Sequence, residues 1–280
     1  MQQSNSSRMP AVFFGHGSPM NALDENAYTR AWRQIAAGMP KPKAILSISA
    51  HWYTRGTLVT AMESPRTIHD FGGFPQALFD IRYPAPGSPA LASRVRELLA
   101  PVDVQPDHSW GLDHGTWSLL VKMFPDADVP VVQLSIDATR PNHFHVEMGQ
   151  RLAPLRDEGV LIMASGDVVH NLRAMNRSGG AAPDWAERFN HAVRDCLLGG
   201  EVERLADYAQ WGPDARLAVP TPEHFLPLLY ILGTRRKGEP ISIPVDGIEL
   251  GSISMMSVAV GAPPPLSPGQ RQAVAAADDQ

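Results

Sequence analysis

Three apolar runs in this 280-residue chain each lead into a histidine. Residues 160–164 enter Ser165-Gly166-Asp167-Val168-Val169-His170-Asn171, residues 11–14 enter Gly15-His16-Gly17-Ser18-Pro19, and residues 44–49 enter Ala50-His51-Trp52. Imidazole binds metals and also transfers protons near neutral pH. His16 and His51 are therefore candidate metal ligands, the plainer alternative being a hydrogen-bonding strand cap. His170, and His114 in Asp113-His114-Gly115, are candidate proton-transfer groups. Asp113 either orients one of them or is a turn residue. His224 lies in the first turn of a predicted helix and faces either into or away from the crevice. Its neighbour Glu223 is either a further ligand or a carboxylate favoured by the helix dipole. His108, His143, His145 and His191 read as structural or surface groups, and His69 largely so. No GxxxxGK[ST] phosphate loop, GxSxG elbow or CxxC pair offers a competing chemistry.

Bringing such histidines together requires strands that end at one edge. In open α/β sheets, ligands bind outside the carboxyl ends of the strands. The three runs have the length and composition of buried strands, and Gly15 and Gly17 let the backbone turn sharply around His16. Further strands are predicted at 57–62, 129–136, 241–245 and 252–260. Helices are predicted at 24–38, 88–100, 141–158, 184–198 and 223–232, with a short one ending near Met123. Ser88-Pro89 and Thr221-Pro222 are cap-plus-proline helix starts. Residues 64–86, rich in Pro, Gly and aromatics, read as one long loop over a substrate.

The formal net charge of −5 comes without a basic block and gives no support for binding nucleic acid or an anionic membrane. A single cysteine, Cys196, excludes an internal disulfide framework and suits a reducing compartment. No apolar stretch approaches the roughly 20 residues of a membrane-spanning helix. The polar start, residues 1–8, reads as a disordered leader rather than a signal peptide, and 261–280 as a disordered tail. The expectation is a cytoplasmic protein with one domain over 9–260. That domain is α/β, with a central, mostly parallel sheet flanked by helices and a metal site at the carboxyl ends of the strands.

Taken together, Gly15-His16-Gly17-Ser18-Pro19-Met20, Ser49-Ala50-His51-Trp52, Ile68-His69-Asp70-Phe71-Gly72-Gly73-Phe74-Pro75, Asp113-His114-Gly115-Thr116-Trp117 and Pro220-Thr221-Pro222-Glu223-His224 resemble the 4,5-DOPA extradiol dioxygenase family. That family belongs to the class III extradiol ring-cleavage dioxygenases, and the similarity runs from about Met9 to Val260. The resemblance implies one mononuclear metal held by His16, His51 and His224, with Fe(II) as the working metal and Zn(II) as an alternative occupant. The broader superfamily uses two histidines and a glutamate, and this chain departs from that pattern at His224, with Glu223 beside it. The resemblance also implies His170 as the acid–base group and His114 as a substrate-contacting histidine. His69, Phe71, Phe74 and Trp117 are expected on the substrate side, with a catechol and O2 as reactants and no separate organic cofactor. Asp167 stands where a neutral residue is expected. The alternatives are a zinc hydrolase using the same three histidines and a non-enzymatic binding protein on the same fold.

Overall fold

All five residues of strand β1 (Ala11–Gly15) are buried, with Phe13 in the core on one face of the sheet and Val12 and Phe14 in the core on the other. A strand apolar on both faces is covered on both faces. The computed structural model describes residues 8–178 and 180–261. Its main sheet also contains β2 (Ala44–Thr54), β3 (Thr57–Thr60), β4 (Val104–Asp107), β5 (Val131–Asp137), β6 (Val160–Gly166), β7 (Ile241–Val245) and β10 (Ser257–Val260). A separate ribbon pairs β8 (Ile248–Glu249) with β9 (Ile253–Ser254). The eight-stranded order is β4-β3-β5-β2-β6-β1-β10-β7. The central strands β5, β2, β6 and β1 are mutually parallel. β3 runs antiparallel to β5, and β10 runs antiparallel to both β1 and β7.

On one face pack α1 (Ala27–Ala37), the short α2 (Gln76–Phe79) and α4 (His114–Met123). On the other face pack α3 (Pro89–Leu99), α5 (Asn142–Leu152), α6 (Asp184–Gly199), α7 (Val202–Ala206), α8 (Pro213–Ala218) and α9 (Leu226–Gly233). Helix starts follow local chemistry. Asn26 caps α1 through the Thr29 N–H at 2.9 Å, and Ser88 caps α3 through the Leu91 N–H at 3.1 Å. Every residue of α9 is buried, and each fully buried leucine contributes roughly 1.5–3 kcal/mol. α9 lies against β6 and follows directly from the segment that carries His224.

The expected single α/β domain with a mostly parallel sheet is present, and several boundaries differ for physical reasons. β2 does not stop at Ser49. Its register against β5 shifts between Ile48 and Tyr53, and the strand continues to Thr54 through an irregularity that contains His51. Such bulges re-aim side chains near functional sites. β4 contains Pro106, which an edge strand tolerates because one side of its backbone needs no ladder partner. The 64–86 segment holds the helical turn α2. The predicted helix 141–158 ends as α5 followed by the 3-10 turn Ala153–Arg156, and the one at 223–232 begins as the separate 3-10 turn Pro222–His224. Most of the expected leader and tail lies outside the described residues. Of the two that are described, Arg8 pairs with Asp157 at 2.8 Å and Glu239 at 3.0 Å, and the Gly261 N–H bonds Pro240 O at 3.1 Å. Among the described residues, no helix is long and apolar enough to cross a membrane.

Candidate active site

His16 directly follows β1, His51 sits in the irregular part of β2, and His224 closes the Pro222–His224 turn beside the end of β6. The His224 carbonyl accepts the Asp167 N–H at 3.0 Å, which ties that turn to the strand end. The ring centroids of the three histidines lie 5.1, 5.2 and 5.4 Å apart. His16 Nε2 and His51 Nε2 are separated by 3.3 Å, and the three residues offer nitrogens all within 4.8 Å of one another.

Each of these rings has its Nδ1 beside an oxygen. Ser165 Oγ lies 2.9 Å from His16 Nδ1, Asp70 Oδ2 lies 3.4 Å from His51 Nδ1, and Glu223 Oε1 lies 3.2 Å from His224 Nδ1. Partners on Nδ1 fix the tautomer and leave Nε2 with its lone pair directed at a common point. Burial, followed by repulsion from neighbouring histidines, drives the His16 and His224 pKa values well below the usual imidazole range. Burial lowers His51 to about 3, with His114 adding to it and Asp70 opposing. All three are neutral imidazoles at pH 7, the form that binds a metal. His224 Nε2 is buried and has no hydrogen-bond partner. Buried polar atoms without partners are rare, and a cation at this point satisfies this one. The residues fit a divalent metal.

Glu223, considered in the sequence as a further ligand, is turned outward from that point. Its Oε1 receives the Thr221 hydroxyl at 2.8 Å and borders His224 Nδ1 rather than Nε2.

His170 stacks on His224, with centroids 3.4 Å apart and planes 8° from parallel. Its backbone N–H donates to Ala218 O at 2.8 Å. Burial lowers its pKa to about 4, with Glu223 acting in the opposite direction, so it is a neutral proton acceptor at pH 7. His114 opens α4, with its ring centroid 3.8 Å from that of His51. Asp113 does not orient a histidine. It caps α4 by accepting the Thr116 N–H at 3.1 Å and receives Gln133 Nε2 at 2.7 Å.

The orienting carboxylate is Asp70, which the sequence reading left without a role. Its Oδ1 accepts the His114 backbone N–H at 2.9 Å and lies 3.0 Å from His114 Nδ1, while its Oδ2 faces His51. Burial pushes its pKa up, but hydrogen bonds from His114 and the nearby His114 and His51 charges outweigh that and hold it below the usual carboxylate range. Asp70 thus links two histidines on different elements, β2 and α4. The only local hint was its place in the aromatic loop.

Of the residues expected on the substrate side, Phe71 stands edge-on to His114 at 5.4 Å, and Phe74 stands edge-on to Phe71 at 5.5 Å. His69 is tied back to Ile81 O at 3.0 Å. Trp117 departs from the expectation of a substrate wall. It is 0% exposed, and its indole N–H donates to Ile68 O at 2.7 Å, so it braces His69 and Phe71 from behind.

Residues 9–249 match the family described as the catalytic LigB subunit of aromatic ring-opening dioxygenase. An Escherichia coli K12 protein named 4,5-DOPA dioxygenase extradiol is 58% identical over 262 residues, covering 92% of this chain and 96% of the relative. A Beta vulgaris protein of the same name is 43% identical, covering 84% of this chain and 91% of its own length. A crystal structure of an uncharacterized Escherichia coli K12 protein superimposes with a TM-score of 0.80 at 51% identity, covering 91% of this chain and 100% of that one. With the family matched over most of its length, the chain belongs to the LigB family of aromatic ring-opening dioxygenases, the class III extradiol enzymes.

Proposed function

We propose that the protein cleaves a catechol ring by the extradiol route, that L-DOPA opened at its 4,5 bond is a substrate, and that His16, His51 and His224 hold Fe(II). The observation that carries this reading is the convergence of three neutral imidazoles whose Nδ1 atoms are all partnered, together with the orphaned His224 Nε2. The relatives' names support L-DOPA within the catechol class. Zn(II) suits the same nitrogen donors and is the expected contaminant of purified protein.

Fe(II) at such a site supplies open positions for the catechol oxygens and O2 and lowers the catechol hydroxyl pKa. The chain's own groups do the rest. His170, neutral and beside His224, accepts a hydroxyl proton at an imidazole nitrogen and returns it when the ring opens. Such acid–base help contributes about 10²–10⁴-fold. His114, with Nδ1 on Asp70, keeps Nε2 free to hydrogen-bond a substrate oxygen. Phe71, edge-on to His114, lines the ring side of the pocket, and the 64–86 segment limits water entry. Both oxygen atoms of O2 enter the product, which carries an aldehyde and a carboxylate where the ring carbons were joined.

The test is oxygen uptake by protein stripped of metal and reloaded anaerobically with Fe(II), then mixed with L-DOPA and simple catechols. Iron-dependent uptake with a yellow semialdehyde, much reduced in His170→Ala, is expected. Uptake that is absent with every catechol, or activity that needs Zn(II) but no O2, overturns the proposal in favour of a hydrolase.

A further inference from the structure

Asp167 lies outside the three-histidine set and is 1% exposed. Its Oδ1 accepts the Gly17 N–H at 3.1 Å, which fixes the orientation of the carboxylate. The other oxygen, Oδ2, is buried without a hydrogen-bond partner and lies 3.5 Å from His16 Nε2. That nitrogen is the one facing His51 Nε2 at 3.3 Å, while His16 Nδ1 is engaged with Ser165. An imidazole lone pair and an orphaned carboxylate oxygen facing each other inside the core repel unless a positive charge lies between them. Asp167 also shares a cluster with His170 and His224, their donor atoms lying within 4.8 Å of one another. The two orphaned buried atoms of this region, Asp167 Oδ2 and His224 Nε2, therefore border the same point. Glu223, the other nearby carboxylate, is directed to the Nδ1 side of His224.

We propose that Asp167 is a fourth protein donor to the metal, making a three-histidine, one-carboxylate set; this rests on the reading of His16, His51 and His224 as the metal-holding residues. Three neutral imidazoles leave the full dipositive charge of a divalent ion to substrate and solvent. A carboxylate halves that charge and occupies a position otherwise open. An oxygen donor also shifts preference toward harder divalent ions such as Fe(II) and Mn(II).

The test uses full-length protein stripped of metal and titrated with Co(II), whose visible bands report donor set and coordination number, in competition with a chelator. Asp167→Asn retains an acceptor for the Gly17 N–H and nearly the same volume. Its Co(II) affinity is expected to fall at least about 10-fold, the scale on which even outer-shell partners act, and its spectrum to change. Wild-type affinity with an unchanged spectrum in Asp167→Asn overturns the proposal and leaves Asp167 a structural acceptor for Gly17. His51→Ala separates the two claims. If it and wild-type protein bind Co(II) equally weakly, the three-histidine reading itself falls and the fourth donor with it. Should Asp167→Asn fail to fold, infrared difference spectra of wild-type protein with and without Zn(II) decide the matter. A new metal-bound carboxylate band supports the proposal, and its absence overturns it.

Discussion

Replacing Gly166 with alanine places a methyl group 2.1 Å from the His224 carbonyl oxygen and 3.3 Å from Phe13 Cε2. Real Cβ atoms essentially never approach other atoms closer than 3.0 Å, so the carbonyl has to retreat by about 1 Å, because close-packed interiors have no slack to absorb the clash. That carbonyl accepts the Asp167 N–H at 3.0 Å, so its retreat stretches the one backbone bond pinning His224 to the strand end. The His224 imidazole then moves off the point shared with His16 and His51. Overpacking of this kind costs about 1–3 kcal/mol of stability. A misplacement near 1 Å at a reacting centre costs on the order of 10²-fold in turnover. The assay pairs urea unfolding with chelator competition and Fe(II)-dependent oxygen uptake. Gly149→Ala is the comparison, since its methyl would sit 2.1 Å from Tyr230 O where α5 crosses α9, away from the histidines. Both variants are expected to lose similar stability, but only Gly166→Ala is expected to lose metal affinity and turnover out of proportion. A folded Gly166→Ala protein with wild-type metal affinity and activity refutes the placement of His224 at the centre.

Asp70→Asn retains a side chain able to face one histidine but cannot accept from both. Metal affinity is expected to drop about 10–100-fold, as measured by chelator competition, with thermal stability changing little. His145 is 0% exposed, and its pKa is lowered to about 4, chiefly by burial. Its folded value lies below the unfolded 6.5, so the unfolded chain binds the extra proton between those values. Stability from this group is complete above pH 6.5, declines as pH falls, and is gone near pH 4, a span of roughly 3 kcal/mol. Urea unfolding of metal-free protein between pH 7 and 4 is expected to show a shallower decline in His145→Gln than in wild type; parallel declines contradict it.

What the sequence made legible is what short-range chemistry controls. Ser88-Pro89 announces α3 because the serine hydroxyl and the proline ring act within one turn. The apolar runs into His16, His51 and His170 expose the sheet and the edge at which chemistry gathers, since buried parallel strands must be apolar on both faces. Features set by distant partners were not legible. β2 continues past Ser49 only because β5 pairs with Tyr53 and Thr54 beyond the register shift. Antiparallel β10 slots between β1 and β7, a choice that no local periodicity encodes. Asp70 reads as one polar residue in an aromatic loop until the fold brings it to His51 and His114, and Trp117 reads as a wall until its indole is seen bonded behind that loop. The orientation of Glu223 away from the shared point likewise depends on Thr221 and on the 3-10 turn, not on its position beside His224.

The most direct measurement is the stoichiometry and affinity of Fe(II) binding, under strict anaerobiosis, in wild-type protein and in single alanine variants of His16, His51 and His224. One ion per chain in wild type, with each variant losing most of its affinity while keeping its circular dichroism, is the expected result. Tight binding that survives in any two of the three folded variants contradicts a metal centre built on these histidines.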